Sequence, residues 1–585
     1  MNYIVDAQQM REIDRRTIEE IGIPALVLME RAAEAVAAQA EKMAEETGGR
    51  QGTRILAVCG AGGNGGDAAA AARILYLRGY SVELLEAFRE EGSGRACSET
   101  AAKQLEIAEN CGVPKCAGTG KGIDFSSYHI LLDGIFGVGL SREITGKYHA
   151  LIGKMNGSGA KILAVDIPSG IDGSTGRSMG INVTADCTVT FGERKLGQLV
   201  YPGAGACGAL ITADIGFPPF LTEEAERASD CAYLTYGRED IRRLPERSPR
   251  SHKGSCGRVL IFAGSEEITG AAFLASAAAC RMGSGLVKLV SVPGCIDTVR
   301  RMLPEALMQK LPDAQEALYS FWKQQVEWAD AVLAGPGLGN GERTRGALHA
   351  LLNAVREGKK PLVLDADALN LLARELGESA EAGSTEAKEP GESAETDGTE
   401  AIEPGESAET DGTEAIEHGG SAEMGSTEAK EPGSSAETGG IMGGTMQERL
   451  ERLSCLLPAG TVLTPHPKEL SRLTGQPVSR ICEHFVDTAK QCIYNNRLIY
   501  VLKDARTIVA GEGALYVNTS GCDGMATGGS GDVLAGMIAA LLTGMEPVQA
   551  ARLGVYLHGL AGENAAEERG CRGMLAGDIV EALRW

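Results

Sequence analysis

The sequence predicts an α/β architecture in two domains, and three observations carry that prediction. Short β-branched runs alternate with longer helical patterns along the chain. Glycine-rich turns follow several apolar runs directly and lead into helical patterns, as at strand-to-helix turns of a parallel sheet. A stretch at 217–250, FPPFLTEEAERASD through RRLPERSPRSHKG, concentrates proline and charge between two strand-rich halves.

The elements follow in order. Asp6–Glu20 reads as a helix opened by the capping pair Asp6 and Gln9, and Pro24–Lys42 as a second. Strands are expected at 54–60, 81–87, 129–135, 160–168 and 187–192, with a helix over Asp67–Arg78. Beyond the boundary, strands are expected at 257–264, 285–292, 331–337, 361–367, 461–467 and 498–504. Helices are expected at Gly270–Met282, Lys468–Leu473 and Asp532–Leu542. The predicted division is 1–220, a linker at 221–234, and 235–585.

Residues 377–440 repeat every 14 positions, as in GESAETDGTEAIEP, with almost no large apolar side chain. Such units cannot bury enough surface to offset the entropy of ordering, and are read as a disordered insertion. They hold 18 acidic residues and 2 lysines, leaving −7 of the formal charge of −23 for the rest of the chain. That sign argues against nucleic acid or an anionic membrane as partner. The 15 cysteines contain no C-x-x-C pair and many lie in apolar runs, for example Cys59, Cys187, Cys280 and Cys492, so they read as reduced core thiols. The first residues carry charge where a signal peptide needs its apolar core and no run approaches about 18 apolar residues, so a cytoplasmic location is expected.

Two constellations carry chemistry. In the first half, Gly60-Ala-Gly-Gly-Asn-Gly-Gly-Asp67 joins a strand to a helix, a place where backbone N–H groups meet a phosphate. The segments Asp133-Gly-Ile-Phe-Gly-Val-Gly-Leu140 and Asp166-Ile-Pro-Ser-Gly-Ile-Asp172 end later strands. Carboxyl ends of parallel strands share one crevice, so Asn64, Asp133, Asp166 and Ser169 are expected to converge there. Oxygen groups suit a hard cation, a carboxylate suits proton transfer, and each Asp alternatively caps a turn; for Asp172 capping is the preferred reading. Glu30 and Arg31 read as a solvated or interface face of their helix.

In the second half, Asn518-Thr-Ser-Gly-Cys-Asp-Gly-Met-Ala-Thr-Gly-Gly-Ser-Gly-Asp532 feeds a helix. The glycines make an anion hole, and Asp532 in the first turn is placed to take a proton from a hydroxyl attacking a phosphoryl group. Around it the sequence offers HKGSCG (252–257), GPGLG (335–339), DADALN (365–370), TPHP (464–467) and KDART (503–507). His252 and His466 lack metal-ligand spacing, so orientation or phosphate contact is expected of them rather than zinc binding.

GNGGD, DGIFGVGL and VDIPSGID together resemble the NAD(P)H-hydrate epimerase domain, a Rossmann-like three-layer fold. HKGSCG, DADALN, TPHP and GGSGDVLAG resemble the ADP-dependent NAD(P)H-hydrate dehydratase, a ribokinase-like α/β domain. The first resemblance implies a potassium ion near Asn64, Asp133 and Ser169, and ligand contacts from Asn64, Gly65, Gly66, Asp67, Gly137, Val138, Gly139, Leu140, Ser141, Arg142 and Glu143, with Asp166 as acid/base. The second implies hydrated nucleotide on Ala271, Gly337, His466 and Asp532, and ADP on Lys503, Asp504, Ala505, Arg506, Thr507 and Gly531, with Mg2+. The chain departs from the family pattern at Gly63, Ala68, Lys468 and Asp504.

The implied activity is repair: epimerisation of R and S hydrates (NADHX and NADPHX) and ADP-dependent dehydration of the S form. A homo-oligomer is compatible with this reading. Two rivals stand beside it, an ATP-dependent hydroxyl kinase of ribokinase type with an N-terminal nucleotide-binding regulatory domain, and a regulatory nucleotide-binding protein whose first domain has lost catalysis.

Overall fold

The computed structural model describes residues 2–88, 97–116, 122–385, 445–494 and 497–584. In chain order the strands are β1 (Asn2–Ile4), β2 (Arg54–Cys59), β3 (Ser81–Glu86), β4 (Ile130–Gly134), β5 (Lys161–Val165), β6 (Cys187–Phe191), β7 (Ala209–Ala213), β8 (Ala232–Thr235) and β9 (Arg258–Phe262). They continue with β10 (Leu286–Ser291), β11 (Leu307–Lys310), β12 (Ala331–Ala334), β13 (Leu362–Leu364), β14 (Val462–Leu463), β15 (Ile499–Leu502), β16 (Ile508–Gly511) and β17 (Ala514–Val517).

The first sheet has the order β3-β2-β4-β5-β6-β7, parallel throughout. Its strands alternate between two cores: Ile55, Ala57 and Cys59 of β2 face one, Leu56 and Val58 the other. From β2 the chain moves outward to β3, then returns to place β4 on β2's other side. The order therefore reverses between β2 and β4, and a crevice opens beyond their carboxyl ends.

The second sheet has eleven strands in the order β1-β8-β17-β16-β15-β14-β13-β12-β9-β10-β11. Its parallel part reverses between β9 and β12. The meander β15-β16-β17 is antiparallel, and β8 extends it in parallel with β17. Helices Gly270–Arg281 and Ser530–Leu541 cross one face in close contact, because Gly536 leaves room for the Ala275 backbone; a Cβ there would stand 2.1 Å from the Ala275 carbonyl oxygen.

The eleven strands read from sequence are all present, whereas β1, β7, β8, β11, β16 and β17 escaped that reading. Most of these six are short, and β7 and β11 are largely exposed or half-buried, so their apolar pattern is weak. The stretch 221–234, expected as a linker, lies within ordered structure: helix Pro219–Arg227 seats Leu221 against Val5, Met10 and Ile13, and β8 begins at Ala232. The first residues of the chain cross over as well, since β1 pairs antiparallel with β8 in the second sheet. Helix Ala7–Glu19 then starts at the expected capping box, with Asp6 accepting from the Gln8 and Gln9 N–H groups. Such a cap contributes about 1 kcal/mol.

Two helices differ in extent. The helix expected from Asp67 begins at Gly63, so the glycine loop forms its first turn. The helix Asp367–Thr385 enters the tract read as disordered, because GESAEA continues with good helix formers behind the buried Leu369–Leu376 turn. The remaining repeats, 386–440, lie outside the described residues. Of the cysteines only Cys59, Cys187, Cys207, Cys295 and Cys492 are buried, so the core-thiol reading fails for the others, three of which are exposed. Among the described residues no helix is long and apolar enough to cross a membrane.

Candidate active sites

Beyond the carboxyl ends of β2, β4, β5 and β6 lies a cavity of about 840 Å³. Its floor is the start of helix Gly63–Leu77, its wall the loop after β4 from Ile135 to Arg142, and its far side Asp166, Phe191 and Lys195. Helix Ala7–Glu19 closes it with Met10, Arg11 and Asp14.

The glycines here divide their work. A Cβ on Gly65 would lie 2.0 Å from the Gly60 carbonyl oxygen in the turn after β2, and one on Gly66 would meet Met29 and the Ala101 backbone on two neighbouring helices, so both serve packing and neither lines the cavity. Gly63, Asn64 and Asp67 line it. The Asn64 amide donates to the Phe136 carbonyl at 3.1 Å. Ser169 donates its hydroxyl to Asp133 Oδ1 at 2.6 Å and its N–H to Asp133 Oδ2 at 2.8 Å, and its Oγ also lies 3.2 Å from that carbonyl. Asn64 and Ser169 thus bond to the Phe136 backbone with Asp133 held through Ser169, and the oxygens this group offers are of the type a hard cation takes. Burial pushes Asp133 up to about 6 against the pull of the Ser169 and Ile135 donors.

Asp166 directly follows β5 in the left-handed region, φ 62°. A non-glycine residue held there is strained, and such strain persists where its surroundings fix it. Asp166 Oδ1 accepts from Lys195 Nζ at 2.5 Å, Thr190 Oγ1 at 3.1 Å and the Phe191 N–H at 3.2 Å, while Gln198 donates to its backbone carbonyl at 2.6 Å. Lys195 is fully buried and bonds also to Thr190 Oγ1 and the Phe191 carbonyl. Asp14 and Asp67 face the same ion pair. Desolvation raises both, with the Asp166 charge adding to the shift. Asp14 and Asp67 thus keep their protons to a higher pH than free carboxyls do.

Sequence reading missed Asp14 and Lys195. The signal for Asp14 was its place, a carboxylate bordering the buried stripe Met10, Ile13, Thr17 of an amphipathic helix. Of the loop residues, Gly137, Val138, Gly139, Leu140, Ser141 and Arg142 line the cavity and Glu143 points to solvent. Asp172 caps its own turn, accepting from the Ser174 and Thr175 N–H groups. Glu30 pairs with Arg73 on the outer face of its helix, and exposed Arg31 reaches Asp214.

The second candidate site lies beyond the carboxyl ends of β13, β14 and β15, in the sheet whose order reverses between β9 and β12. Helix Ser530–Leu541 points its N-terminus there, with Gly529 in the left-handed conformation as cap and Asp532 in the first turn. Asp532 is pushed up to about 7, first by burial and then by the charges of Asp365, Asp367 and Glu469, against the pull of Lys503. Lys503 Nζ sits 2.7 Å from Asp365 Oδ1 and 4.0 Å from Glu469 Oε2. These charges raise the lysine despite burial. Thr464 donates to the same Asp365 oxygen at 2.7 Å. Gly531 leaves the approach to Lys503 open, since a Cβ there would lie 3.2 Å from Nζ.

His466 caps helix Pro467–Thr474, its Nδ1 accepting from the Lys468 and Glu469 N–H groups, and burial beside Lys503 lowers its pKa. Glu469, pushed up to about 6 by burial, was not foreseen. Gly337 is left-handed and packs on Ala271, bringing those two expected contacts together. Arg506 donates to the Thr519 carbonyl at 2.8 Å, and Thr507 Oγ1 to the Asp504 carbonyl at 3.3 Å, so the 503–507 turn is tied to the glycine loop through Arg506. His252 is exposed and its Nδ1 accepts from the Gly254 N–H in its own turn. His558, buried and lowered to about 4, lies 3.4 Å from Ser530 Oγ behind the helix start.

Residues 25–197 match the family described as YjeF-related protein N-terminus, and residues 259–385 with 446–584 match the one described as NAD(P)H-hydrate dehydratase. The chain is 32% identical to the bifunctional NAD(P)H-hydrate repair enzyme Nnr of Thermofilum pendens, across 99% of this chain and 95% of that protein. It is also 32% identical to the protein of the same name from Moorella thermoacetica, across 99% and 96%. A solved structure of an ADP/ATP-dependent NAD(P)H-hydrate dehydratase from Bacillus subtilis, co-crystallised with ATP/Mg2+, is 26% identical over 60% of this chain and 96% of that one, with a TM-score of 0.40.

Proposed function

This chain belongs to the bifunctional NAD(P)H-hydrate repair enzymes, and from that premise we propose how its two sites share the work. The first cavity epimerises the R and S hydrates of NADH and NADPH. The second crevice dehydrates the S hydrate with ADP, giving NAD(P)H, AMP and phosphate.

The observation that supports the second step is Asp532 at the mouth of a glycine-built helix terminus, held near neutrality and next to Lys503. The C6 hydroxyl of a hydrated nicotinamide leaves poorly as hydroxide. Asp532 takes its proton as the oxygen attacks the β-phosphorus of ADP, and AMP departs. The C6–O bond then breaks toward phosphate while C5 gives up a proton, restoring the ring double bond. Lys503, Gly531 and the turn to Thr507 receive the nucleotide phosphates, and Ala271, Gly337 and His466 flank the nicotinamide. Asp365, Asp367 and Glu469 form the oxygen-rich side on which Mg2+ would sit, neutralising charge on the phosphates.

In the first cavity, C6 carries both the ring nitrogen and the hydroxyl, so inversion needs a proton moved off and back onto an oxygen as one bond opens and closes. Asp166 is the group assigned to that transfer, with Lys195 balancing its charge and Asp14 and Asp67 storing the proton. Asn64, Asp133, Ser169 and the Phe136 carbonyl would hold K+, which supplies fixed positive charge beside the ligand phosphates. The Gly63 departure leaves Asn64 as the remaining amide at the helix start. A cytoplasmic setting suits substrates of this class.

The test is incubation of the full chain with mixed hydrates and ADP, following dihydronicotinamide absorbance. Complete recovery from both epimers supports both sites. Recovery of only the S fraction removes the epimerase assignment, and turnover with ATP but not ADP, without regained absorbance, supports the kinase rival.

A further inference from the structure

Outside both crevices, Cys522, Asp523 and Cys571 place their ligand atoms within 4.8 Å of one another. Cys522 and Asp523 lie in the loop between β17 and helix Ser530–Leu541, where Asp523–Met525 forms a single 3-10 turn. Cys571 lies in the turn that follows helix Pro547–Arg569. The approach is set by backbone packing. A Cβ on Gly524 would stand 2.7 Å from the Cys571 carbonyl oxygen and 2.9 Å from its Cα, so only glycine lets the two segments meet this closely.

We infer that Cys522, Asp523 and Cys571 form a surface site for a thiophilic divalent cation of the zinc type. Two sulfurs and one carboxylate oxygen are a mixed donor set that favours zinc over magnesium or calcium, which prefer all-oxygen shells. Tetrahedral zinc, with Zn–S near about 2.3 Å, needs sulfurs roughly 3.8 Å apart, a modest contraction for side chains on an exposed turn. Cys522 is half-buried and anchored with its sulfur 3.6 Å from the Gly562 carbonyl, while Asp523 and Cys571 are exposed, so the fourth position faces water. Occupied, the site would clamp the glycine loop leading to Asp532 onto the C-terminal turn. It is independent of the chemistry proposed for either crevice.

The experiment uses the full chain, reduced and stripped with chelator, then titrated with Co2+ and with Zn2+. The expected result is one equivalent bound, with thiolate-to-cobalt charge-transfer absorbance that Zn2+ abolishes. Zn2+ should slow alkylation of Cys522 and Cys571, mapped by mass spectrometry, by about tenfold or more. The exposed Cys455 and Cys482 should react as before. Asp523→Asn and Cys571→Ser should each weaken Zn2+ binding by about tenfold or more. The proposal is overturned if Zn2+ protects neither thiol, if the cobalt band survives in the Cys522→Ser/Cys571→Ser double variant, or if the reduced protein takes up no metal and only a Cys522–Cys571 disulfide forms in air. Should the variants fail to fold, the wild-type alkylation map decides.

Discussion

Lys195 Nζ, fully buried, lies 2.5 Å from Asp166 Oδ1 at the cavity wall, and the two share Thr190 Oγ1 as a partner. The lysine does for the first site what Lys503 does for the second: it is a buried cation paired directly with one carboxylate and close to others.

Removing the first of these cations should therefore be expensive. Lys195→Met leaves Asp166 buried without a counter-charge and should cost about 3–5 kcal/mol of stability, read by urea denaturation. Interconversion of purified R and S hydrates, followed chromatographically, should stop. Dehydration of the S hydrate with ADP should continue at conditions where the protein remains folded.

Asp532→Asn should abolish dehydration and spare epimerisation, and Asp166→Asn should do the reverse. Loss of both activities in either variant would contradict separate sites.

The rate of dehydration should rise with pH and level off above about 7, as Asp532 sheds its proton. Stability should move the opposite way. The folded pKa exceeds the unfolded value near 3.8, so the folded state holds more protons between the two and loses stability as pH climbs through that window. Asp532→Asn should then melt higher than wild type above pH 7, with about 4 kcal/mol as the ceiling, and match it below about pH 4.

Gly65→Ala should lower the melting temperature strongly, because its Cβ would be driven to 2.0 Å from a backbone oxygen that cannot rotate away. Gly63→Ala, with open space around its Cβ, should fold normally, as thermal melts of the two would compare.

Shortening the stretch 386–444 to roughly ten residues should leave both activities close to wild type, since closure entropy varies slowly with loop length. Steady-state rates of the shortened chain are the readout, and a collapse would give the repeats a structural role.

Much of the framework was legible because its signals are local. Apolar runs such as RILAVC and RVLIF, ending at glycine turns, fix strands whose carboxyl ends must share a crevice, and this is why Asn64, Asp133, Asp166 and Ser169 could be grouped before any coordinates. Asp14, Lys195 and Glu469 were passed over as site residues for the opposite reason. Each sits in a stretch that reads as ordinary helix face or turn, and its burial and neighbours come from elements far away in the chain.

The sequence alone determined the two α/β halves, the glycine-rich helix entries and the carboxylates at their mouths, since periodicity, turn chemistry and motif order depend only on nearby residues. Tertiary structure decided which strand completes which sheet, so that Asn2–Ile4 joins β8 and not the half it precedes. It also decided which carboxylates hold protons, because a pKa shift depends on desolvation and on charges that only folding brings within reach.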